Sequence, residues 1–235
     1  MENYFRIAKH FIHFQALKLK EKTGSLKTCN VSRKNLKLKP NDSIMFLIWN
    51  IPAVKTCPFR TKECEKNCYA KKAETGVYPG VLKSRERNWK ESMQDDFTER
   101  MIYTILKALY FDHGKRKIVF RIHESGDFYN KEYMQKWLTI ADYFKSENVT
   151  FICYTKSFPY FDGVSLPKNF ILRASIWSDT KPEYLETIKK NKWPIYTAVP
   201  HFSKHDNFTQ CRCSDCSTCK KCWNKRYTDI RCEIH

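Results

Sequence analysis

Glycine is scarce in this chain, with six among 235 residues. Neither G-x-x-x-x-G-K-S/T nor G-x-G-x-x-G occurs, which excludes the glycine-rich phosphate cradles of P-loop and dinucleotide-binding proteins. Long apolar runs are missing as well. The longest, Ile44–Trp49 (IMFLIW), falls far short of the roughly 18 residues that span a bilayer, and no signal-peptide core follows Met1. The expectation is a soluble, intracellular protein with no membrane partner. Acidic residues are the third shortage: 25 Asp and Glu against 43 Lys and Arg give a formal net charge of +18. Such a field attracts nucleic acid or another anionic substrate.

Cysteine, by contrast, is abundant. Eleven are too many for core filler in an ordinary intracellular enzyme, and an odd count suits a disulfide framework poorly. They are also grouped. Cys57, Cys64 and Cys68 form one set; Cys211, Cys213, Cys216, Cys219, Cys222 and Cys232 form another; Cys29 and Cys153 stand alone. Grouping of this kind points to metal. Hydrophobic residues at 42% and aromatics at 15% make the chain globular, with one main fold.

Residues 1–40 read as a basic, aromatic N-terminal arm, residues 41–200 as a partial β/α barrel, and residues 201–235 as a cysteine-rich metal-binding module. Strand patterns at 44–49, 118–122, 149–154, 170–175 and 194–199 alternate with helical patterns at 82–93, 97–110, 131–144 and 182–190, the last capped near Asp179 or Thr180. Such alternation predicts parallel β/α units, a doubly wound sheet or an incomplete barrel, with function gathered beyond the strand C-terminal ends. The loops there carry TCPFRTKECEKNCYA, HESGDF, YTKS and SIWSD. After Pro200 aliphatics become few, so a metal is expected to staple the tail.

From Cys213 the tail runs C-x2-C-x2-C-x2-C. Zinc sites usually set two C-x2-C knuckles face to face, whereas three consecutive steps suit a backbone curling around a cubane, as in ferredoxin loops. Iron–sulfur is therefore the preferred reading, zinc the alternative metal, and free or disulfide-bonded thiols the remaining one. His201 and His205 keep zinc open, although a surface or core histidine is the preferred reading of each. The first set has three thiols spaced C-x6-C-x3-C after strand one. Three thiols on a cubane leave one iron open for a ligand; a closed structural site shared with one tail cysteine is the rival.

The three-cysteine loop after strand one of a β/α series resembles the arrangement of radical S-adenosylmethionine enzymes. Their usual spacing is C-x3-C-x2-C, from which this chain departs. That resemblance implies one or two [4Fe-4S] clusters, S-adenosylmethionine as cofactor and an electron donor as partner. A second resemblance rests on IPAVKTCP and C-x3-CYA (51–70), RERN (85–88), RIHESGDFY (121–129), YTKS (154–157), LPKNFILRAS (166–175) and the terminal cysteine ladder with His235. Together these are similar to the phage gene-product-eighty-eight family, from about Leu36 onward, which implies a phage or prophage origin and a place in the host cytoplasm.

The radical-enzyme resemblance sets Glu124, Ser125, Gly126 and Asp127 against the segment that meets the cofactor's amino group, with Tyr154 and Ser175 as further cofactor contacts. His123 is a candidate proton donor and Lys156 a candidate anion-binding residue. The plainer alternatives are a helix-capping turn for Asp127, a core histidine for His123, and inward-packing strand residues for the others. Arg85, Arg87, Lys90 and Lys115–Lys117, with Trp89 for stacking, are candidates for a nucleic-acid surface or simply a solvated face. The expected function is an iron–sulfur enzyme acting on an unknown substrate. The alternatives are a non-catalytic nucleic-acid-binding protein with structural metals, or a host-factor-binding protein using residues 1–30.

Overall fold

The computed structural model describes residues 2–35, 37–78, 80–201, 208–212, 215–224, 226 and 229–234, with backbone alone for 2–9 and 77. Among these, seven strands form one wholly parallel sheet in the order β1-β2-β3-β4-β5-β7-β6, curled as a half-barrel. The strands are β1 (Ile44–Trp49), β2 (Lys117–Ile122), β3 (Val149–Thr155), β4 (Phe170–Ile176), β5 (Ile195–Val199), β6 (Thr209–Gln210) and β7 (Asp229–Glu233). The helices are α1 (Glu2–Lys22), α2 (Lys62–Lys66), α3 (Tyr69–Lys72), α4 (Val81–Ser92), α5 (Phe97–Phe111), α6 (Lys131–Tyr143), α7 (Phe158–Phe161), α8 (Pro182–Lys190) and α9 (Cys216–Cys219). None is long and apolar enough to cross a membrane.

Side-chain alternation along each strand separates two apolar layers. One face, with Met45, Leu47, Trp49, Phe120, Phe151 and Leu172, packs against α1, α5 and α6 in the main core. The other, with Ile44, Phe46, Ile48, Val119 and Ile152, packs against Cys216, Cys222 and Trp223 of the tail. A strand covered on both faces is apolar throughout, which explains IMFLIW. The arm is equally integrated. Phe14 stacks on Tyr110 (4.6 Å between centroids), Leu17 is buried, and Ser32 bridges antiparallel to Ile48.

Three expectations need correction. The tail contributes β6 and β7 to the same sheet, because an edge left by β5 offers unpaired backbone groups that β7 satisfies. Helix α8 takes Lys181 as N-cap without a side-chain bond, while the Asp179 carboxylate accepts from the Glu63 amide of α2 (2.9 Å). Asp127 does not cap α6: Asn130 does, accepting from the Tyr133 amide (2.8 Å).

Candidate functional site

The loops after β1 and β2 interlock beyond the strand C-terminal ends. Asn50 Oδ1 accepts from the amides of Glu124 (2.7 Å) and Ser125 (3.0 Å), and Ser125 Oγ donates to the Ile51 carbonyl (3.0 Å). Gly126 has φ +85°, and a Cβ there would lie 2.7 Å from Thr56 Oγ1 and collide with the Ile51 side chain. Its lack of a side chain lets the two loops touch each other. The Glu74 carboxylate ties the assembly from behind, accepting from the Ala53 amide (2.8 Å), Arg85 (2.8 Å) and Ser125 Oγ (3.3 Å). Arg85 is thus buried in an ion pair and is not part of an outer nucleic-acid surface.

Helix α2 begins at Thr61, whose hydroxyl accepts from the Cys64 amide (3.1 Å), and α3 begins at Cys68, whose Sγ accepts from the Lys71 amide (3.4 Å). These two short helices bring the first thiols together beside Asp127 and Lys156. Cys57 lies in the field of Asp127, Lys156 and Cys64; Cys64 lies in that of Lys156, to which it hydrogen-bonds, Cys68 and Asp127. Burial raises both thiols above the ordinary cysteine range. The Asp127 carboxylate is buried and fully engaged, accepting from Thr155 Oγ1 (2.6 Å), the Lys156 amide (2.8 Å) and the Phe128 amide (2.8 Å). Burial raises its pKa against the pull of those three bonds. Lys156 Nζ donates to Ser175 Oγ (2.9 Å), so the predicted Lys156 and Ser175 meet at this group.

Glu124 faces the same mouth, held by Asn35 (2.7 Å) and Asn50 (3.3 Å), while the Tyr69 hydroxyl donates to its carbonyl (2.6 Å). His123 does not join them. With φ +65° it turns into the helix-side core, its Nε2 paired with the Tyr133 hydroxyl (2.9 Å) and its ring edge-on to Phe128 (4.9 Å). Burial lowers its pKa from 6.5 to about 3, so it is a neutral core histidine rather than a proton donor at the mouth.

The second thiol group lies on the concave face. Cys211, Cys216, Cys219 and Cys222 share one electrostatic neighbourhood; Cys222 hydrogen-bonds the Tyr154 hydroxyl and Cys232 that of Tyr196. Burial pushes the Cys216 thiol up to about 12. Cys213, His205 and His235 fall outside the described residues. Tyr154, read from the sequence as a cofactor contact at the mouth, belongs instead to this second group. Lone Cys29 and Cys153 are core residues.

Two arginines missed in the sequence organise the concave face. Arg173, fully buried, donates to the carbonyls of Cys222 (2.6 Å), Lys221 (3.1 Å) and Asn224 (3.3 Å). Arg121 stacks over Tyr154 (5.1 Å), and its buried Nε has no partner. Each interrupts an otherwise apolar strand, IVFRI and FILRASI, and an inward charge in a parallel strand was the available signal. Among the described residues no three Cys, His, Asp or Glu side chains converge as a single-ion site. The donors nevertheless suit a soft metal or cluster: both groups are all sulfur, and each has a cation beside it to balance thiolates.

Similarity to known proteins bears on this architecture. The family described as Gene product 88 matches residues 17–225. The chain belongs to the gene product 88 family. The match reaches back to Leu17 inside α1, further than the motif stretches that suggested it, and takes in both cysteine groups as far as Cys222. Among gene product 88 relatives, the Gene 88 protein of Mycobacterium phage D29 is 25% identical over 197 residues, covering 73% of this chain and 79% of that one. No solved structure matches.

Proposed function

We propose that this phage-family protein is an iron–sulfur enzyme, with a [4Fe-4S] cluster held by Cys57, Cys64 and Cys68 at the mouth of the half-barrel. The observation that supports it is an all-thiol, three-residue group on the first-strand loop of a parallel half-barrel, beside a buried carboxylate and a lysine. When bound, the cluster would supply one-electron chemistry, and with S-adenosylmethionine at its open corner a radical route.

The chain's own residues prepare the site. Lys156 holds its ammonium between Cys64 and Ser175 and offsets thiolate charge; Asp127 anchors the Lys156 backbone. Glu124, supported by two asparagines, is the carboxylate at the mouth for a cationic amine. On the concave face Arg121 and Arg173 would balance a second cluster or a zinc ion bound by tail cysteines. An electron-donor protein is required for turnover.

The test is purification without oxygen, followed by iron, sulfide and zinc analysis and a reduced paramagnetic resonance spectrum with and without S-adenosylmethionine. Iron with matching sulfide is expected, with a signal that shifts on adding the cofactor, disappears in Cys64→Ser and persists in Cys219→Ser. Zinc without sulfide, or a cluster signal indifferent to the cofactor, overturns the reading.

A further inference from the structure

Helix α2 lies across the mouth of the half-barrel, joined to the loop after β1 by sequence and to the loop after β4 by the Glu63 amide bonded to Asp179. Helix α4 packs beside α3 and the turn after it through Arg85, which reaches the Ala70 carbonyl of α3 (3.1 Å) and Glu74 (2.8 Å). From Lys55 to Lys90 the sequence carries ten Lys and Arg against four Glu. Three of those glutamates are already engaged by cations: Glu65 by Arg60 and Lys71, Glu74 by Arg85, and Glu86 by Lys55. The surplus is on the surface. Lys62, Lys66, Lys72, Lys83, Arg87 and Lys90 are exposed and make no ion pair among the described residues. On α5, by comparison, Lys107 is paired with Glu21, and on α6 Lys136 is paired with Glu132.

Aromatic side chains stand among these cations. Tyr69 is 48% and Tyr78 is 56% exposed, and Lys55 lies over the Trp89 ring (4.6 Å). A basic surface with projecting aromatic faces matches single-stranded nucleic acid, whose phosphates take the cations and whose unpaired bases stack. An acidic protein would use the charges and leave the rings idle; a duplex would hide its base faces. The concave face is filled by the tail, so a strand must run across the mouth rather than through the barrel. The Tyr69 hydroxyl donates to the Glu124 carbonyl (2.6 Å) and lies in the field of Cys68, so a base stacked on this ring is beside the three-thiol group.

We propose that the α2–α4 rim binds single-stranded nucleic acid and presents one nucleotide at the mouth. As substrate, the strand rests on the enzyme reading above; the docking itself requires no metal, so the two fail separately. The test is fluorescence anisotropy of the full chain with a labelled ~20-nucleotide single strand, as DNA and as RNA, across a salt series. At about 0.1 M salt, Lys66→Glu/Lys72→Glu/Lys83→Glu is expected to weaken binding at least ~10-fold and to flatten the salt dependence. Tyr78→Ala is expected to weaken it by about fivefold or more. Lys115→Glu/Lys189→Glu, at the opposite end of the strands, should change it less than about twofold. Circular dichroism checks that each variant is folded. The DNA and RNA arms tell which strand is bound. Equal losses from rim and control variants, tighter binding of duplex, or equal competition by polyglutamate would overturn the proposal.

Discussion

His123 shows how one backbone angle redirects a side chain. At φ +65° the chain leaves β2 in a left-handed turn, and the imidazole enters the aromatic core, with Nδ1 buried and unpartnered. Its pKa falls from 6.5 to about 3, so the native state refuses a proton that the unfolded chain accepts. This costs nothing above pH 6.5. Between 6.5 and about 3 stability declines as pH falls, by at most ~1.4 kcal/mol per pH unit from this group. Asn tolerates the left-handed conformation, so His123→Asn is expected to flatten that part of the profile. Urea unfolding at several pH values measures it; an unchanged slope would remove His123 from the account.

At the scale of elements, the tail is held by Arg173 rather than by apolar burial alone. Three backbone carbonyls converge on one buried guanidinium, and Trp223 meets Phe46 edge-on at 5.7 Å. Arg173→Met leaves those carbonyls unsatisfied and is expected to cost about 3 kcal/mol. Limited proteolysis should then cut within residues 208–234 first, with Cys57, Cys64 and Cys68 still protected; uniform cleavage would mean that β7 alone holds the tail. Most elements were legible because apolar runs and helical periodicity survive in the sequence: the pattern at 182–190 is α8, and that at 44–49 is β1. The strand β7 was not, since Asp229–Glu233 (DIRCE) carries a charge at both ends and at its centre and has one buried residue. Arg121 and Arg173 were overlooked because inward charges gain meaning only from what faces them.

For the whole molecule, α1 is part of the core rather than a detachable arm. Phe14 packs between Tyr103 and Tyr110, and Leu17 is buried behind it. Phe14→Ala is expected to cost about 3–4 kcal/mol, read as a lower urea midpoint. A loss below about 1 kcal/mol would return α1 to the status of an appended segment. Deleting residues 2–22 would remove this packing together with the basic arm, so a host-partner test by deletion needs a check of folding beside it.

The sequence by itself determined the alternation of strands and helices, the two cysteine sets, the excess of basic charge and the family resemblance. These depend on residue type and spacing along the chain. Only tertiary structure decided which side chains meet: Lys156 with Cys64 and Ser175, Tyr154 with Cys222, and His123 with Tyr133. It also decided that the tail fills the concave face and that Arg85 is buried beneath the cations of α4. Such pairings join residues many positions apart. They are fixed by the pleat and register of the parallel sheet, which reverse the facing of a side chain with every single-residue step.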